Sequence, residues 1–542
     1  MCGIWVYIPK KHSANNYIDN FNSIQHRGPD KSVLIHNENS NIFIGFHRLS
    51  IIDVANGFQP FIYETRDFIT YLVCNGEIYN YKELYQSLNV TPKTNSDCEV
   101  ILHLFNAFGE HFIDKLNGEF AFCICKCSKT YPYKVNIYIG RDRFGIRPLF
   151  MAITSSEFFF SSELKGIPFI NNAFYRYLPT QIHPRKLLTI KIQSDQWLID
   201  SYIYYNLKQI STSIYDKNIA HKLIREQFIK SVESRLMSER PLGCLLSGGL
   251  DSSLVSSITS KWCKLHNTKL HTFSIGMENS TDEKYAKLVS QHINSIHTHI
   301  CLSTDDFLNA IENVIKAIET YDITTIRASV GQWLLSKYIS ENTDIKVLLI
   351  GDGSDELCGG YMYFHNAPNP TEFHNECVNL LENIHFYDVL RADRGIANHG
   401  LEARVPFLDH DFVNLYLSID PNLRMPNGLE KRLLRESFAD TDLLPYEVLF
   451  RRKEAFSDGI SQVTNSWYSI IQNYVSSMFS DDDLNSMSSK YNAPKTKEAL
   501  YYRKIYDKYY GDIDKIIPTF WLPKWNGNIN EPSARVLTSY TT

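Results

Sequence analysis

The stretch LGCLLSGGLDSSL, residues 242–254, constrains the fold more than any other part of this 542-residue chain. Apolar residues come first, then a turn with two glycines, then Asp and Ser where a helix would begin. A strand, a glycine-rich turn and a helix N-terminus suit phosphate, because backbone N–H groups point into the turn and the helix dipole favours anions. A plain helix cap would also explain the Asp and Ser. The stretch lacks the lysine of a Walker loop, so any phosphate site here is of another kind.

Strands and helices alternate from about Asp216 onward. Helical periodicities such as KNIAHKLIREQFIKSVESRLM are separated by apolar strands such as LHTFSIGM and KVLLIGD. This order predicts a parallel sheet with helices on its faces. The first 185 or so residues hold short strand-like runs between turns, for example YLVCNGEIYN and VNIYIGRD, and indicate a sheet-dominated domain. Because 542 residues exceed what one core usually organises, we expect two domains.

A second predicted strand, VLLI, runs into GDGSDELCGGY at residues 351–361. Acidic residues and glycines therefore cluster beyond the carboxyl end of a strand, where open parallel sheets bind ligands. Carboxylates that face a phosphate loop require a cation between them, and Mg²⁺ bound by one or two carboxylates and by substrate phosphates fits this need. A solvated acidic turn would explain the charges, but not the glycines Gly351, Gly353, Gly359 and Gly360.

The N-terminal stretch MCGIWVY places a cysteine at position 2. If Met1 is removed, Cys2 carries a thiol nucleophile and an α-amine that can act as a base. Alone, Cys2 reads as a small apolar residue at the start of a strand. HRGPD at 26–30, RLSIID at 48–53, NGEIYN at 75–80 and SDCE at 96–99 each have a simple reading as turns or solvated charges. Together they supply the groups needed to hydrolyse the amide of an amino acid. A guanidinium can bind the α-carboxylate, carboxylates can bind the α-ammonium, and a side-chain amide can stabilise the oxyanion that forms.

With RDRFGIRPLF and SSELKGI, this set resembles the class II glutamine amidotransferase domain. The resemblance implies a four-layer α/β/β/α sandwich of the N-terminal-nucleophile hydrolase type. It implies that Cys2 is the nucleophile after methionine removal, with its own α-amine as the general base, and that Asn75 and Gly76 form the oxyanion hole. For glutamine, it implies binding of the carboxylate by Arg48 and the backbone of Leu49, Ser50, Ile51 and Ile52, and of the ammonium by Glu77 and Asp97.

The motif SGGLDS resembles the pyrophosphate loop of ATP pyrophosphatases. With YDITTIRASVG at 321–331, DRGIANHGLEARVPFLDHDF at 393–412 and RRKEAFSDGI at 451–460, the second half resembles the synthetase domain of the asparagine synthetase family, an α/β parallel-sheet domain. The resemblance implies aspartate, glutamine and ATP as substrates, Mg²⁺ at Asp251 and Asp355, and charge neutralisation by Lys453. The product would be β-aspartyl-AMP, from which ammonia, arriving through an internal passage, displaces AMP. The residues implied for ATP are Leu246, Ser247, Gly248, Gly249, Asp251, Ser252, Ile275, Ile350 and Gly351.

One departure from that family concerns the acidic stretch. Where the family usually reads SGEGSDE, this chain reads IGDGSDE, with Asp352 in place of a glutamate that has a part in forming the adenylate and in the ammonia step. Asp keeps the charge but reaches one methylene less far. We therefore expect Asp352 to take the catalytic place of the glutamate, and activity to persist.

Composition excludes several classes of function. A net charge of −5 and a pI of about 6.4 give no reason to expect nucleic acid or an anionic membrane as a partner. No segment approaches the roughly 18 apolar residues of a membrane span and no signal sequence is apparent, so the expected location is cytoplasmic. Eleven cysteines without regular spacing predict free thiols. Cys123, Cys125 and Cys127 are interpreted as one buried strand face rather than a zinc site.

The predicted organisation is an amidotransferase domain at 2–185, a linker and covering segment at 186–210, and a synthetase domain at 211–542, with a homodimer possible. Three other functions stay open: the same architecture with another acceptor carboxylate, an inactive scaffold, and an amidotransferase acting on a sugar phosphate or phosphoribosyl substrate. HGLEARVPFLD and KEAFSDG favour aspartate, the intact site residues argue against a scaffold, and the third class lacks SGGLDSS.

Overall fold

The computed structural model describes residues 1–9, 17–132, 134–154, 157–168, 179–193, 196–462, 464–511, 513–527, 529–533 and 535. The chain forms two compact units. The first comprises Met1–Asn206, Met237–Arg240 and Ala397–Glu402, and the second comprises Leu207–Leu236, Pro241–Ile396 and Ala403–Thr542. The boundaries predicted near residues 185 and 210 stay predictions.

Two antiparallel sheets make up most of the first unit. Its strands are β1 (Gly3–Pro9), β2 (Lys31–Asn37), β3 (Ile42–Arg48), β4 (Phe61–Glu64), β5 (Phe68–Ile78), β6 (Gly118–Ser128), β7 (Val135–Arg141), β8 (Phe150–Ile153), β9 (Glu157–Ser161), β10 (Thr180–Gln181), β11 (Lys186–Gln193) and β12 (Gln196–Ile203). One sheet has the order β10-β8-β9-β1-β3-β2 and the other β12-β11-β7-β6-β5-β4. The stretch predicted as linker and covering segment thus contains β11 and β12 of the second sheet.

The core of this unit lies between the two sheets. Alternate residues of β1, such as Ile4 and Val6, pack in one cluster with Cys123, Cys125 and Cys127 of β6, as the period of two along a strand requires. The interpretation of these three cysteines as a buried strand face is confirmed. Helices α2 (Tyr81–Leu88) and α3 (Val100–Phe108) cover the other face of the second sheet. Helix α1 (Ile18–Asn22) places Phe21 against Trp5 and His47 of the first sheet, which completes the predicted four layers.

The second unit is built on a sheet of order β15-β14-β13-β16-β17. The strands are β13 (Leu242–Leu245), β14 (His271–Gly276), β15 (Ile296–Cys301), β16 (Val347–Leu349) and β17 (Glu402–Arg404). The pairings of β13 with β14, of β13 with β16 and of β14 with β15 are parallel, which confirms the predicted parallel sheet.

Helices surround this parallel sheet. They are α4 (Lys217–Ser234), α5 (Leu250–Leu265), α6 (Thr281–Ile293), α7 (Thr304–Ile318), α8 (Ile323–Asn342), α9 (Ser354–Cys358), α10 (Pro370–Asn383), α11 (Asp388–Ala397), α12 (His410–Leu417), α13 (Pro421–Arg424), α14 (Arg432–Ser437), α15 (Tyr446–Leu449), α16 (Phe456–Gly459), α17 (Trp467–Ser476), α18 (Asp481–Ser486) and α19 (Lys497–Tyr510). Among the described residues, no helix has the length and apolar character needed to cross a membrane.

Candidate active sites

Cys2 lies immediately before β1 and contacts residues of β5 and of the segment after β3. Its backbone nitrogen donates a hydrogen bond to Oδ1 of Asn75 at 2.9 Å, and its Sγ lies 3.4 Å from the backbone nitrogen of Leu49. Asn75 is fully buried, and its Nδ2 has no hydrogen-bond partner among the described residues. That amide nitrogen can therefore donate to a substrate oxygen. Burial raises the pKa of the Cys2 thiol to about 11, so the thiol needs a base to become a nucleophile at neutral pH.

Gly76 follows Asn75 in a conformation that only glycine adopts easily. Its φ is +138°, and a Cβ at this position would lie 1.9 Å from the carbonyl oxygen of Glu119 on β6. Asp97 is brought to the same end of β5, where its carboxylate accepts a hydrogen bond from the backbone nitrogen of Ile78 at 2.6 Å. Glu77 is buried beside them. The structure thus brings together the predicted oxyanion residues and the predicted ammonium ligands.

Arg48 is held by the loop that follows it. Its guanidinium donates to the carbonyl oxygens of Asp53 at 2.6 Å, Val54 at 3.2 Å and Ile52 at 3.4 Å. The carboxylate of Glu239 accepts from the backbone nitrogens of Asp53 and Val54 at 3.0 Å each, which fixes the same loop. Within the segment from Leu49 to Ile52, the nitrogen of Ser50 donates to Asp30 at 2.8 Å, and Leu49 and Ile51 are buried. Arg48 is therefore preorganised near the thiol, although its donors already contact backbone carbonyls.

Sequence reasoning missed Arg27 at this site. The Nε of Arg27 donates to the carbonyl oxygen of Cys2 at 2.9 Å, and its Nη1 forms an ion pair of 2.7 Å with Glu163, both side chains being buried. Met1 is also fully buried, and its amine donates to the carbonyl oxygen of Leu401 at 3.2 Å. The HRGPD stretch contained the signal for Arg27, but nothing in its spacing indicated which atom Arg27 would contact.

A cavity in the second unit opens at the carboxyl ends of β13, β14 and β16. All the residues predicted for ATP line it except Gly248. Gly248 has a φ of +76°, and a Cβ there would lie 2.4 Å from the backbone nitrogen of Ala286 on α6. This glycine therefore allows the loop to pack against α6. Two serine side chains stabilise the turn. Ser247 Oγ and Ser252 Oγ are 3.1 Å apart, and the nitrogen of Gly249 donates to Ser247 Oγ at 3.3 Å.

Two lysines and two aspartates form a continuous chain of ion pairs on the wall of this cavity. Lys431 Nζ lies 2.7 Å from Asp251 Oδ2 and 2.6 Å from Asp355 Oδ1, and Lys453 Nζ lies 2.6 Å from Asp355 Oδ2. Gly360 leaves room for Lys431, because a Cβ there would lie 1.9 Å from its Cε. Burial acts to raise the pKa of Asp355, but the two ammonium groups hold it well below its ordinary value. Lys431 was not predicted from the sequence, and no local pattern marks it.

Asp352 also lines the cavity but belongs to a different group of charges. Its Oδ1 is 2.5 Å from Nη2 of Arg391 on α11, which also contacts Asp388 at 2.9 Å. Burial raises the pKa of Asp352, and Arg391 opposes that shift. The carboxylate is therefore oriented by a guanidinium, in a position that keeps it at the cavity surface.

Comparison with known proteins identifies the family to which this chain belongs. A family profile described as "Glutamine amidotransferase domain" matches residues 1–217, and one described as "Asparagine synthase" matches residues 223–373 and 366–526. Proteins named "Asparagine synthetase [glutamine-hydrolyzing]" from Mus musculus and Gallus gallus are each 41% identical to this chain, and the one from Homo sapiens is 40% identical. Each alignment covers 100% of this chain and 99% of the relative. The chain belongs to the asparagine synthase family. The resemblance predicted from its motifs is confirmed over its whole length.

The carboxylates of the ATP cavity are compatible with the ligands that Mg²⁺ prefers. Among the described residues, no group of three or more His, Cys, Asp or Glu side chains is arranged to hold a metal ion by itself. Asp251 and Asp355 face the same cavity, and an ammonium group already bridges them. This donor set fits a cation that takes one or two carboxylates and completes its shell with phosphate oxygens and water, as Mg²⁺ does.

Proposed function

We propose that this chain makes asparagine from aspartate, ATP and glutamine. One observation carries the proposal: an ammonia-producing constellation around Cys2 and an ATP-binding cavity around Lys431 and Lys453 occur in a single chain. Cys2 N contacts Asn75 at 2.9 Å in the first unit, and Lys453 contacts Asp355 at 2.6 Å in the second. The relatives that align over the whole chain are named "Asparagine synthetase [glutamine-hydrolyzing]".

In the first unit, Cys2 would attack the side-chain carbonyl carbon of glutamine. The proton of the thiol passes to the α-amine that removal of Met1 exposes, and this amine later protonates the departing ammonia. Asn75 Nδ2 and the backbone nitrogen of Gly76 would stabilise the oxyanion, because the first lacks a partner among the described residues and the second lies beside it. Water then releases glutamate from the thioester. Arg48 would bind the α-carboxylate, and Glu77 and Asp97 the α-ammonium.

In the second unit, the β-carboxylate of aspartate would attack the α-phosphorus of ATP, and pyrophosphate would leave. Leu246, Ile275 and Ile350 would line the nucleotide, while Ser247 and Gly249 on the turn before α5 and Ser252 in the first turn of α5 would hold the phosphates. Lys431 and Lys453 would neutralise charge that builds on the phosphate oxygens. Ammonia would then attack the acyl carbon of β-aspartyl-AMP and displace AMP. Asp352, which Arg391 contacts at the cavity wall, would contact the acyl group.

Asp251 and Asp355 would hold Mg²⁺ together with the phosphates of ATP. When bound, the ion supplies positive charge to the phosphate oxygens and so favours the departure of pyrophosphate. Lys431 pairs with both carboxylates and Lys453 pairs with Asp355, so two ammonium groups balance the two negative charges.

A cytoplasmic location and a homodimer complete the proposal. All eleven cysteines are free, as expected in a reducing compartment. Size-exclusion chromatography with light scattering would test the dimer, and a mass near twice 62.8 kDa is the expected result.

The experiment that tests the acceptor measures pyrophosphate release from ATP with a panel of carboxylic acids. Aspartate should give the highest kcat/KM, and glutamate, β-alanine and succinate should each give at most a few per cent of it. A higher rate with another carboxylate would assign this chain a different acceptor on the same architecture. The absence of pyrophosphate release with every acid, in a protein that still hydrolyses glutamine, would contradict the synthetase function.

A further inference from the structure

One of the last described residues of the chain, Arg535, contacts α16, which directly follows the segment that carries Lys453. Nε of Arg535 donates to Oδ1 of Asp458 at 2.8 Å. Earlier in this tail, Ser533 N donates to Oε1 of Glu531 at 2.9 Å, and Glu531 accepts from Nη1 of Arg327 on α8 at 3.0 Å. Two ion pairs therefore hold the described residues of this C-terminal segment, 531–533 and 535, one of them to α8 and the other to α16.

Asp458 needs such a partner because of where it lies. It is 4% exposed, and it belongs to α16, a single turn of helix. A buried carboxylate without a cation or hydrogen bonds is strongly unfavourable. Burial raises the pKa of Asp458, and the guanidinium of Arg535 opposes this shift most strongly among its neighbours. The carboxylate thus connects α16 to the C-terminal segment.

The residues just before α16 have no regular secondary structure, and Lys453 is one of them. Residues 451–455 are held by side chains: Lys453 N donates to Glu430 at 2.7 Å, and Arg451 pairs with Asp282 at 2.9 Å. After α16, the carbonyl of Ile460 accepts from the nitrogen of Met277 at 2.7 Å. Within α16 itself, Phe456 lines the ATP cavity. A shift of α16 would therefore move both the cavity wall and the segment that presents the Lys453 ammonium.

We infer that Arg535 is a positioning residue for Lys453, acting through its ion pair with Asp458, so that the C-terminal segment is part of the synthetase site. This inference rests on the proposed synthetase function. The pair fixes α16, and the hydrogen bond of 2.9 Å from Asp458 N to the carbonyl oxygen of Ala455 joins α16 to the end of the segment 451–455. Together with Glu430 and Asp282, α16 therefore sets how that segment presents Lys453 to the phosphates. A misplacement of about 1 Å in a catalytic group can cost about a hundredfold in rate.

The test compares the wild type with Arg535→Gln, Arg535→Lys and Lys508→Gln. Lys508 pairs with Glu312 on the surface of the same unit, with side chains 63% and 43% exposed, and serves as a control for loss of a cation. Aspartate-dependent pyrophosphate release reports the synthetase site, and glutamine hydrolysis at Cys2 reports correct folding of the other unit. We expect Arg535→Gln to lower the synthetase kcat at least tenfold with the KM for ATP within about twofold, and Arg535→Lys to recover at least a third of the wild-type rate.

A double variant separates positioning from general destabilisation. Asp458→Asn combined with Arg535→Gln removes both charges and leaves two amides that can hydrogen-bond. The double variant should therefore have a higher synthetase kcat than Arg535→Gln alone. Wild-type kcat in Arg535→Gln, or a loss equal to that of Lys508→Gln, would overturn the inference. So would an equal loss of glutamine hydrolysis and pyrophosphate release, or a double variant no faster than the single one. A wild-type protein that releases no pyrophosphate would instead contradict the proposed function.

Discussion

Replacing Lys431 by methionine tests the chain of ion pairs in the ATP cavity. The side chain of Lys431 is 1% exposed, and its ammonium lies within 2.7 Å of carboxylate oxygens of both Asp251 and Asp355. Methionine keeps much of the volume and removes the charge. The substitution leaves Asp251 without its cation, whereas Asp355 keeps Lys453 at 2.6 Å.

The expected loss of synthetase activity in Lys431→Met can be worked out from these contacts. Removing one partner of a buried ion pair costs about 3–5 kcal/mol, and because Asp355 keeps a second lysine we take the lower end, about 3 kcal/mol. Since the same ammonium would neutralise the phosphates, a comparable amount is lost from the transition state. At about 1.4 kcal/mol for each factor of ten, the synthetase kcat should fall about a hundredfold.

The assay is aspartate-dependent pyrophosphate release, with glutamine hydrolysis measured on the same sample. Lys508→Met, which breaks an exposed pair, is the control and should leave both rates unchanged. A Lys431→Met variant whose pyrophosphate release stays within about threefold of the wild type would refute the role assigned to this lysine. A variant that loses glutamine hydrolysis as well would show damage beyond the cavity.

Three further predictions concern other parts of the chain. Asn75→Ala should lower kcat for glutamine hydrolysis about 100- to 1000-fold in steady-state assays with little change in KM, because Nδ2 acts on the oxyanion; an unchanged kcat would remove Asn75 from the site. Gly76→Ala places a Cβ 1.9 Å from the Glu119 carbonyl and should lower the melting temperature far more than Gly109→Ala, where a Cβ meets nothing within 4 Å; equal shifts would contradict the packing. Burial lowers the pKa of His297 to about 4, so the unfolded chain takes up a proton first as pH falls from 6.5 towards 4. The free energy of unfolding in urea should therefore fall across that window, and His297→Gln should show a smaller fall; a slope that His297→Gln leaves unchanged would exclude this histidine.

Local patterns predicted the elements of this fold well. The apolar stretch LGCLL, the two glycines and the following Asp and Ser form β13, a turn and α5, because each step is set by neighbours in sequence. The alternation in Cys123, Cys125 and Cys127 also identified a buried strand face, since the period of two does not depend on the partner strand.

Contacts between distant residues were not accessible in this way. Lys431 meets Asp251 across 180 positions and Glu239 holds the loop after Arg48 across 186 and 185, and no spacing rule links such pairs. Gly248 shows a related limit. Its place in a glycine-rich turn predicts a role in phosphate binding, which stays a prediction, and the structure adds that α6 approaches too closely for a side chain. The sequence indicates that a glycine is needed, and only the packing shows why.

The most direct test of the two-site account supplies wild type and Cys2→Ala with aspartate, ATP and Mg²⁺, using either glutamine or an ammonium salt as the nitrogen source. Intact-mass measurement first establishes that Met1 is absent, because a retained methionine would turn the Cys2 amine into an amide that cannot accept a proton. We expect Cys2→Ala to lose asparagine formation from glutamine and to keep most of the rate with ammonium. Equal loss with both nitrogen sources, or undiminished use of glutamine, would contradict the account.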